Sequence, residues 1–197
     1  MVAPVPAALV RCADHEGNSN LITIGWTGTV NTHPPMAYIS VRPERFSHHM
    51  IEESGEFVIN LTTVSMMRGV DTCGVRSGRD VDKWALTGFT KGPASVVHAP
   101  IVVESPVNIE CKVTQVLHLG SHDMFLAEVV AVQADEQYFD ERGAFDLNAA
   151  GLAAYVHGSY VALGDVLGTF GYSVRKKPAG NKKKSSRRST ARKENQK

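Results

Sequence analysis

The chain has 197 residues, 43% hydrophobic and 21% charged, which suits one globular domain with a full core and excludes low-complexity chains; no apolar run approaches membrane-spanning length. Its formal charge of +1 conceals two unlike parts: Arg175–Lys197 holds eleven Lys and Arg against one Glu, whereas Met1–Val174, with ten basic and nineteen acidic residues, carries −9. Cys12, Cys73 and Cys111 are odd in number and lack a C-x-x-C pair, so they read as buried thiols and not as a disulfide or metal framework.

The opening Met1–Val10 contains Pro4 and Pro6 and has no basic start, a poor signal peptide, and a cytoplasmic protein is expected. Ala7–Cys12 fits a first strand, and the turn at Asp14–Asn18 leads into a second as a hairpin. That second run, Asn20–Thr29, is β-branched and ends in small residues, where Gly25 and Gly28 allow close approach of another molecule to the backbone. Pro34 and Pro35 precede a short strand at Met36–Val41. A short helix then begins with Ser47 as its N-cap, with Phe46 and Ile51 as a hydrophobic staple and Gly55 as its stop. With Arg45 beside the free N–H groups, this helix start is a place for a phosphate, the plain alternative being an ordinary capped helix.

After a strand at Phe57–Leu61, Met66, Met67, Val70 and Cys73 recur at helical spacing despite Gly69 and Gly74, with the methionines assigned to the core or a subunit interface. Gly78–Trp84 is a polar loop anchored by Trp84. Ile109, Cys111 and Val113 alternate with Glu110, Lys112 and Thr114, and a slip near Gln115–Val116 predicts a bulge. Gly120–Asp123 is a tight connection that sets His122 at the sheet rim before the strand Phe125–Val132. Many strands with short turns favour an antiparallel barrel over a parallel α/β sheet, and no G-x-G-x-x-G or P-loop pattern occurs. Among the eight histidines only His48 and His49 are adjacent, and no metal is expected. The tail from Arg175 lacks large apolar residues and is expected to be disordered, either a solubility arm or a weak binder of nucleic acid or another polyanion.

The ordered series Asn20…Thr23-x-x-Trp26, Pro34-Pro35, Arg45-x-Ser47, Glu53–Leu61, Asp82-Lys83-Trp84, Glu110-Cys111-Lys112, Gly120–Val129 and Tyr155…Gly158…Tyr160 resembles the flavin reductase-like family of FMN-binding split barrels, the flavoredoxin type. The resemblance, which runs from about Leu9 to Gly164, implies a mainly β, six-stranded antiparallel split barrel with a few short helices, homodimeric, spanning residues 1–174 and followed by the tail 175–197. It also implies an FMN flavoprotein that takes a hydride from NADH or NADPH and passes electrons to free flavin or a partner acceptor, with no catalytic acid or base. In that pattern Asn20 and the backbone of Gly25, Trp26, Thr27 and Gly28 border the ring and ribityl chain. Trp26 is an apolar wall, Ser40, Val41 and Arg42 line the floor, Arg45 and Ser47 take the phosphate, Lys83 reaches in, and His122 and Tyr155 stand at the open side. The chain has Ser47 where Thr is frequent and Ser121-His122-Asp123 where Gly-Asp-His is frequent. Two alternatives stand beside this reading: a non-enzymatic FMN electron carrier, and a pyridoxamine-phosphate-oxidase-like protein.

Overall fold

The structure, a computed structural model, describes residues 2–175. A compact unit ends at Leu163, and the described part of the second unit, 164–175, contains one 3-10 turn at Tyr172–Val174. Apart from Arg175, the expected basic tail lies outside the described residues.

In the compact unit the strands are β1 (Val5–Pro6), β2 (Ala8–Ala13), β3 (Ser19–Ile24), β4 (Thr27–Thr32), β5 (Pro35–Val41), β6 (Glu56–Asn60), β7 (Lys91–Gly92), β8 (Ile101–Val102), β9 (Val107–His118), β10 (Asp123–Ala134), β11 (Ala153–Val156) and β12 (Ser159–Ala162). The helices are α1 (Phe46–Ser54), α2 (Met67–Val75) and α3 (Lys83–Thr87). The main sheet is antiparallel and has seven strands in the order β3-β2-β6-β9-β10-β5-β4; β1-β11-β12 and β7-β8 form two smaller sheets.

This order dictates the shape. The first and last strands of the sheet, β3 and β4, are joined by Gly25 and Trp26 alone. A flat seven-stranded sheet would set its edges about 29 Å apart, whereas a two-residue link spans at most about 11 Å. The sheet must therefore roll into a barrel whose split lies between β3 and β4. The expected six strands become seven because the Asn20–Thr29 run breaks at this link.

Period-two alternation fills the barrel interior: Ala8, Val10 and Cys12 of β2, Ile22 and Ile24 of β3, Ala37, Ile39 and Val41 of β5, Phe57 and Ile59 of β6, and Phe125 and Ala127 of β10 share one core, joined by Met50 and Ile51 of α1. Outside the barrel, Leu9 and Leu21 meet Met66, Val70 and Cys73 of α2 and its approach, and Trp84 of α3. All three cysteines are buried, and burial pushes their thiols up to about 11 for Cys12 and Cys73 and about 12 for Cys111, too high for a reactive thiolate.

Three local readings change. Helix α1 starts at Phe46 with Arg45 in the N-cap position and no side-chain cap; Ser47 is buried inside the first turn, where its Oγ accepts from Asn20 Nδ2 at 2.8 Å. As an acceptor this hydroxyl ties α1 to β3, and Phe46 and Ile51 both pack with the barrel core. Gly55 does stop the helix, with φ +67° and its N–H bonded to Ile51 O. The Gly78–Trp84 loop ends in a helix, because Asp82 Oδ1 accepts from Trp84 N and Ala85 N and so caps α3. The bulge falls at Thr114, the unpaired residue between Val113 and Gln115, with a second at Val130.

The polar face of β9 is covered at Asn108 and Glu110, while Lys112 and Thr114 stay exposed. The segment 93–99 folds across it, and Glu110, fully buried, accepts from Ser95 N and Val96 N at 2.7 Å, Val97 N at 3.1 Å and Gln133 Nε2 at 3.0 Å. Burial alone would raise the carboxyl, but these four donors hold it below the usual carboxylate range. Glu110→Gln should lower unfolding free energy by about 1–3 kcal/mol in urea titrations at neutral pH, because amide hydrogens would then face N–H donors. A depressed native value means the contribution is full above the unfolded-chain value of about 4.3 and lost as pH falls through the native one. The wild-type advantage over the variant should therefore shrink on acidification, and equal stability at neutral pH would show that Glu110 does not anchor the segment.

Candidate functional site

The split of the barrel opens into a cavity of about 410 Å³. Its walls are the edge of β3 through the link (Ile22, Thr23, Ile24, Gly25 and Trp26), the end of β5 (Ser40, Val41 and Arg42), Arg45, the α2 face with Asp71, Gly74 and Val75, His122 of the β9–β10 turn, and Tyr155 and Tyr160 of the β11–β12 hairpin. A second cavity of about 180 Å³ adjoins it and shares Ile22, Thr23, Arg45 and Gly74. Its other walls include Asn20, Ser47, Lys83 and the 76–79 segment after α2.

Each element arrives for a local reason. The link is held to β5 by Ser40 N, which donates to Trp26 O at 2.9 Å, so Trp26 stays at the mouth although 43% exposed. Its indole meets the His122 imidazole with ring centroids 4.3 Å apart. Leu119 N donates to His122 O at 3.0 Å and closes the turn that carries this ring. Burial first, and Arg42 next, push the His122 imidazole below its ordinary value, which favours a neutral flat ring. Across the mouth, Tyr155 and Tyr160 pack edge to face at 5.4 Å, and Tyr160 Oη donates to Asp71 Oδ1 at 3.2 Å. Burial and Asp71 push the Tyr160 hydroxyl up to about 12, so it remains a donor.

The smaller cavity is cationic. Arg45, Arg76, Arg79 and Lys83 line it against one carboxylate, Glu44. Arg79 Nη1 donates to Glu44 O at 3.0 Å and is thereby folded back over the cavity. A Cβ on Gly78 would stand 2.5 Å from Asn20 Oδ1 and 2.6 Å from Phe46 Cδ1, so only glycine lets the 76–79 segment close this end. Lys83, 4% exposed, donates to Leu21 O at 2.6 Å and Cys73 O at 2.8 Å, and burial pushes its ammonium below the ordinary value. Lys83, expected only to reach into the site, also pins the end of α2 to β3, and it lines the cationic cavity.

Of the residues expected at a site, Gly25, Trp26, Ser40, Val41, Arg42, Arg45, His122 and Tyr155 line the larger cavity, and Asn20, Arg45, Ser47 and Lys83 the smaller. Thr27 and Gly28 line neither. They lie on β4, where Thr27 Oγ1 donates to Tyr38 O at 2.7 Å and Gly28 sits against the Tyr38 ring. Trp26, expected as an apolar wall, and His122, expected at the open side, form one tilted ring pair. The sequence reading missed Arg76 and Arg79, whose signal is a cationic run with Gly78 between α2 and α3, and Asp71, which carried none; Tyr160 stood in the family-like series without an assigned role. Among the described residues no helix is long and apolar enough to cross a membrane.

Solved structures share this architecture. A flavoredoxin of Desulfovibrio vulgaris (Miyazaki F) is 29% identical, with a TM-score of 0.82 over 89% of this chain and 95% of that one. A Shewanella frigidimarina protein with a split barrel domain is 26% identical, with a TM-score of 0.76 over 85% and 86% of the two chains. An FMN-binding protein from Thermus thermophilus, solved with 1-cyclohex-2-enone, is 26% identical, with a TM-score of 0.70 over 81% and 86%. The antiparallel split barrel implied by the sequence is thus the fold, and the family model described as flavin reductase like domain matches residues 2–164, so the chain belongs to the flavin reductase-like domain family.

Proposed function

We propose that the chain binds FMN, with its ring in the larger cavity and its phosphate in the smaller, and that it acts as an NAD(P)H-dependent flavin reductase passing electrons to free flavin or a partner acceptor. The observation that carries this reading is the adjacency of the two cavities, which share Ile22, Thr23, Arg45 and Gly74 in their walls. One end is of ligand size, in the range of about 300–1,000 Å³, with aromatic and backbone walls; the other is small, cationic and closed by a glycine segment. A flat ring with a phosphate at the end of a flexible chain has the same two-part chemistry. Membership of the flavin reductase-like domain family and the likeness to an FMN-binding protein support the choice of ligand.

Bound there, the flavin supplies hydride transfer, which no side chain of the protein can perform. The chain's own tasks are to hold, orient and shield it. Arg45 lines both cavities, so its guanidinium stands where ring-end and phosphate-end recognition meet, and Arg76, Arg79 and Lys83 add positive charge for a phosphate dianion. The tilted Trp26–His122 pair offers aromatic surface beside the edge of β3. No acid–base pair is required, because the reacting rings need only contact and exclusion of water. The homodimer belongs to the same reading: Trp26 and Tyr155, 43% and 38% exposed at the mouth, are the surfaces a second copy would cover.

Purified protein should show an oxidised-flavin absorption spectrum and accelerate NAD(P)H oxidation with added FMN; flavin binding without NAD(P)H turnover would leave an electron carrier. Arg45→Ala should weaken FMN binding about ten- to a hundredfold through loss of a charge-assisted contact of roughly 1.5–3 kcal/mol. Riboflavin, lacking the phosphate, should be nearly indifferent to the change in the same fluorescence titration. An unchanged FMN dissociation constant would place the phosphate elsewhere.

Lys83→Met separates two roles. If the ammonium pins β3 to α2, melts of flavin-free protein should show a loss of about 1–3 kcal/mol for two carbonyls left without a donor. If it serves only the ligand, flavin-free stability stays at the wild-type value and FMN affinity alone falls.

A further inference from the structure

Asp123 opens β10, next to His122, and is buried. Its Oδ2 lies 2.8 Å from His48 Nε2 and its Oδ1 lies 3.0 Å from His118 Nδ1. Burial alone would raise the Asp123 carboxyl, but the hydrogen bonds from His48 and His118 hold it below the usual range. An ionised carboxylate only accepts, so both facing imidazole nitrogens donate. These two donors come from different elements.

His118 ends β9 and pairs with Asp123 across the hairpin, so the Asp123–His118 bond closes the base of the four-residue turn Leu119–His122. His48 is buried on α1, edge-on to Phe125 at 5.2 Å, with Glu52 Oε2 4.0 Å from its other nitrogen. Three residues before His48, at the head of the same helix, is Arg45, which lines both cavities. One carboxylate therefore grips the turn that carries the ring-side imidazole and the helix that follows the phosphate-side guanidinium. The proposed flavin site uses both ends, yet no atom of Asp123 lines either cavity.

We propose that Asp123 is a positioning residue: by accepting from His48 and His118 it clamps the 119–122 turn to α1 and thereby sets His122 against Trp26 at the mouth of the site. The consequence for ligand binding rests on the flavin reading; the placement of the ring does not. A turn tied only by its backbone bond from Leu119 to His122 could pivot about the end of β9. Two further bonds, one across the turn and one to a packed helix, remove that freedom.

The chain has two tryptophans, Trp26 at the mouth and buried Trp84 of α3, so its indole N–H signals are two and the second is an internal control. His122→Ala in the full chain defines the position of the Trp26 signal without the neighbouring ring. Asp123→Ala should move the Trp26 signal toward that position while the Trp84 signal stays at its wild-type place. His118→Ala, which removes a largely exposed ring and carries little risk to folding, should move it part of the way. A Trp26 signal unmoved in His118→Ala, and unmoved in Asp123→Ala where that variant folds, overturns the proposal. Displacement of both indole signals together also overturns it, because Asp123 would then be a general support of the fold.

Riboflavin titration supplies a second readout that tests ring-end recognition without the phosphate. Its dissociation constant should rise about two- to tenfold in His122→Ala and to a similar degree in Asp123→Ala. Wild-type protein that binds no riboflavin and no FMN would count against the flavin reading alone, since the indole signals decide the clamp independently.

Discussion

The two-residue link Gly25–Trp26 is the constraint on which the rest of the molecule depends. By joining the outermost strands of a seven-stranded sheet it forces the sheet to roll, and the rolling decides which side chains become interior. The cavity follows from this geometry, because β3 and β4 diverge from the link instead of closing on each other, and α2, the β9–β10 turn and the β11–β12 hairpin gather around the gap. Trp26 is held at the centre of these elements by a backbone bond from Ser40.

Around this frame, charged groups do structural work from inside. Glu110 gathers three consecutive backbone N–H groups of the 93–99 segment, and Glu56 accepts from His98 N at 2.9 Å, so two carboxylates on neighbouring strands fasten one irregular segment over the outside of the barrel. Lys83 treats carbonyls in the complementary way, drawing β3 and the end of α2 together. Thr23 adds a bond from its hydroxyl to Val70 O, so the strand that lines the cavity is fixed to α2 at two levels. Such groups are costly to bury unless fully paired, which makes the geometry they enforce hard to relax.

What could be read from the sequence was what repeats locally. The strand at Ala7–Cys12, the alternation in Ile109–Val113, the glycine stop at Gly55 and the turn before Asn20 all leave a signal within a few residues, and the barrel class and the cavity-lining Asn20–Arg45 stretch were legible from them and from the ordered family motifs. Cross-chain commitments were not. Ser47 looks like an N-cap because cap propensity is local, but its hydroxyl is claimed by Asn20, 27 positions away. Lys83 looks solvated because its neighbours are polar, but two carbonyls from Leu21 and Cys73 enclose it. Glu110 alternates as a surface residue would, and nothing nearby announces the segment that folds over it. Thr27 and Gly28 follow the cavity-lining link in sequence but leave the cavity with β4, which pairs with β5.

The free edge of β3 has one more consequence. A strand edge with unpaired N–H and C=O groups is a template on which another chain can add a strand, the starting point of sheet-to-sheet aggregation. Here that edge faces a cavity walled by aromatic rings and the α2 face, not open solvent, so access by a second strand is sterically denied. Whatever occupies the cavity meets backbone groups that sheet pairing would otherwise have consumed. The same rolled geometry that makes room for a ligand thus also shields this one edge from strand addition, and loosening the walls for a larger ligand would weaken both functions together.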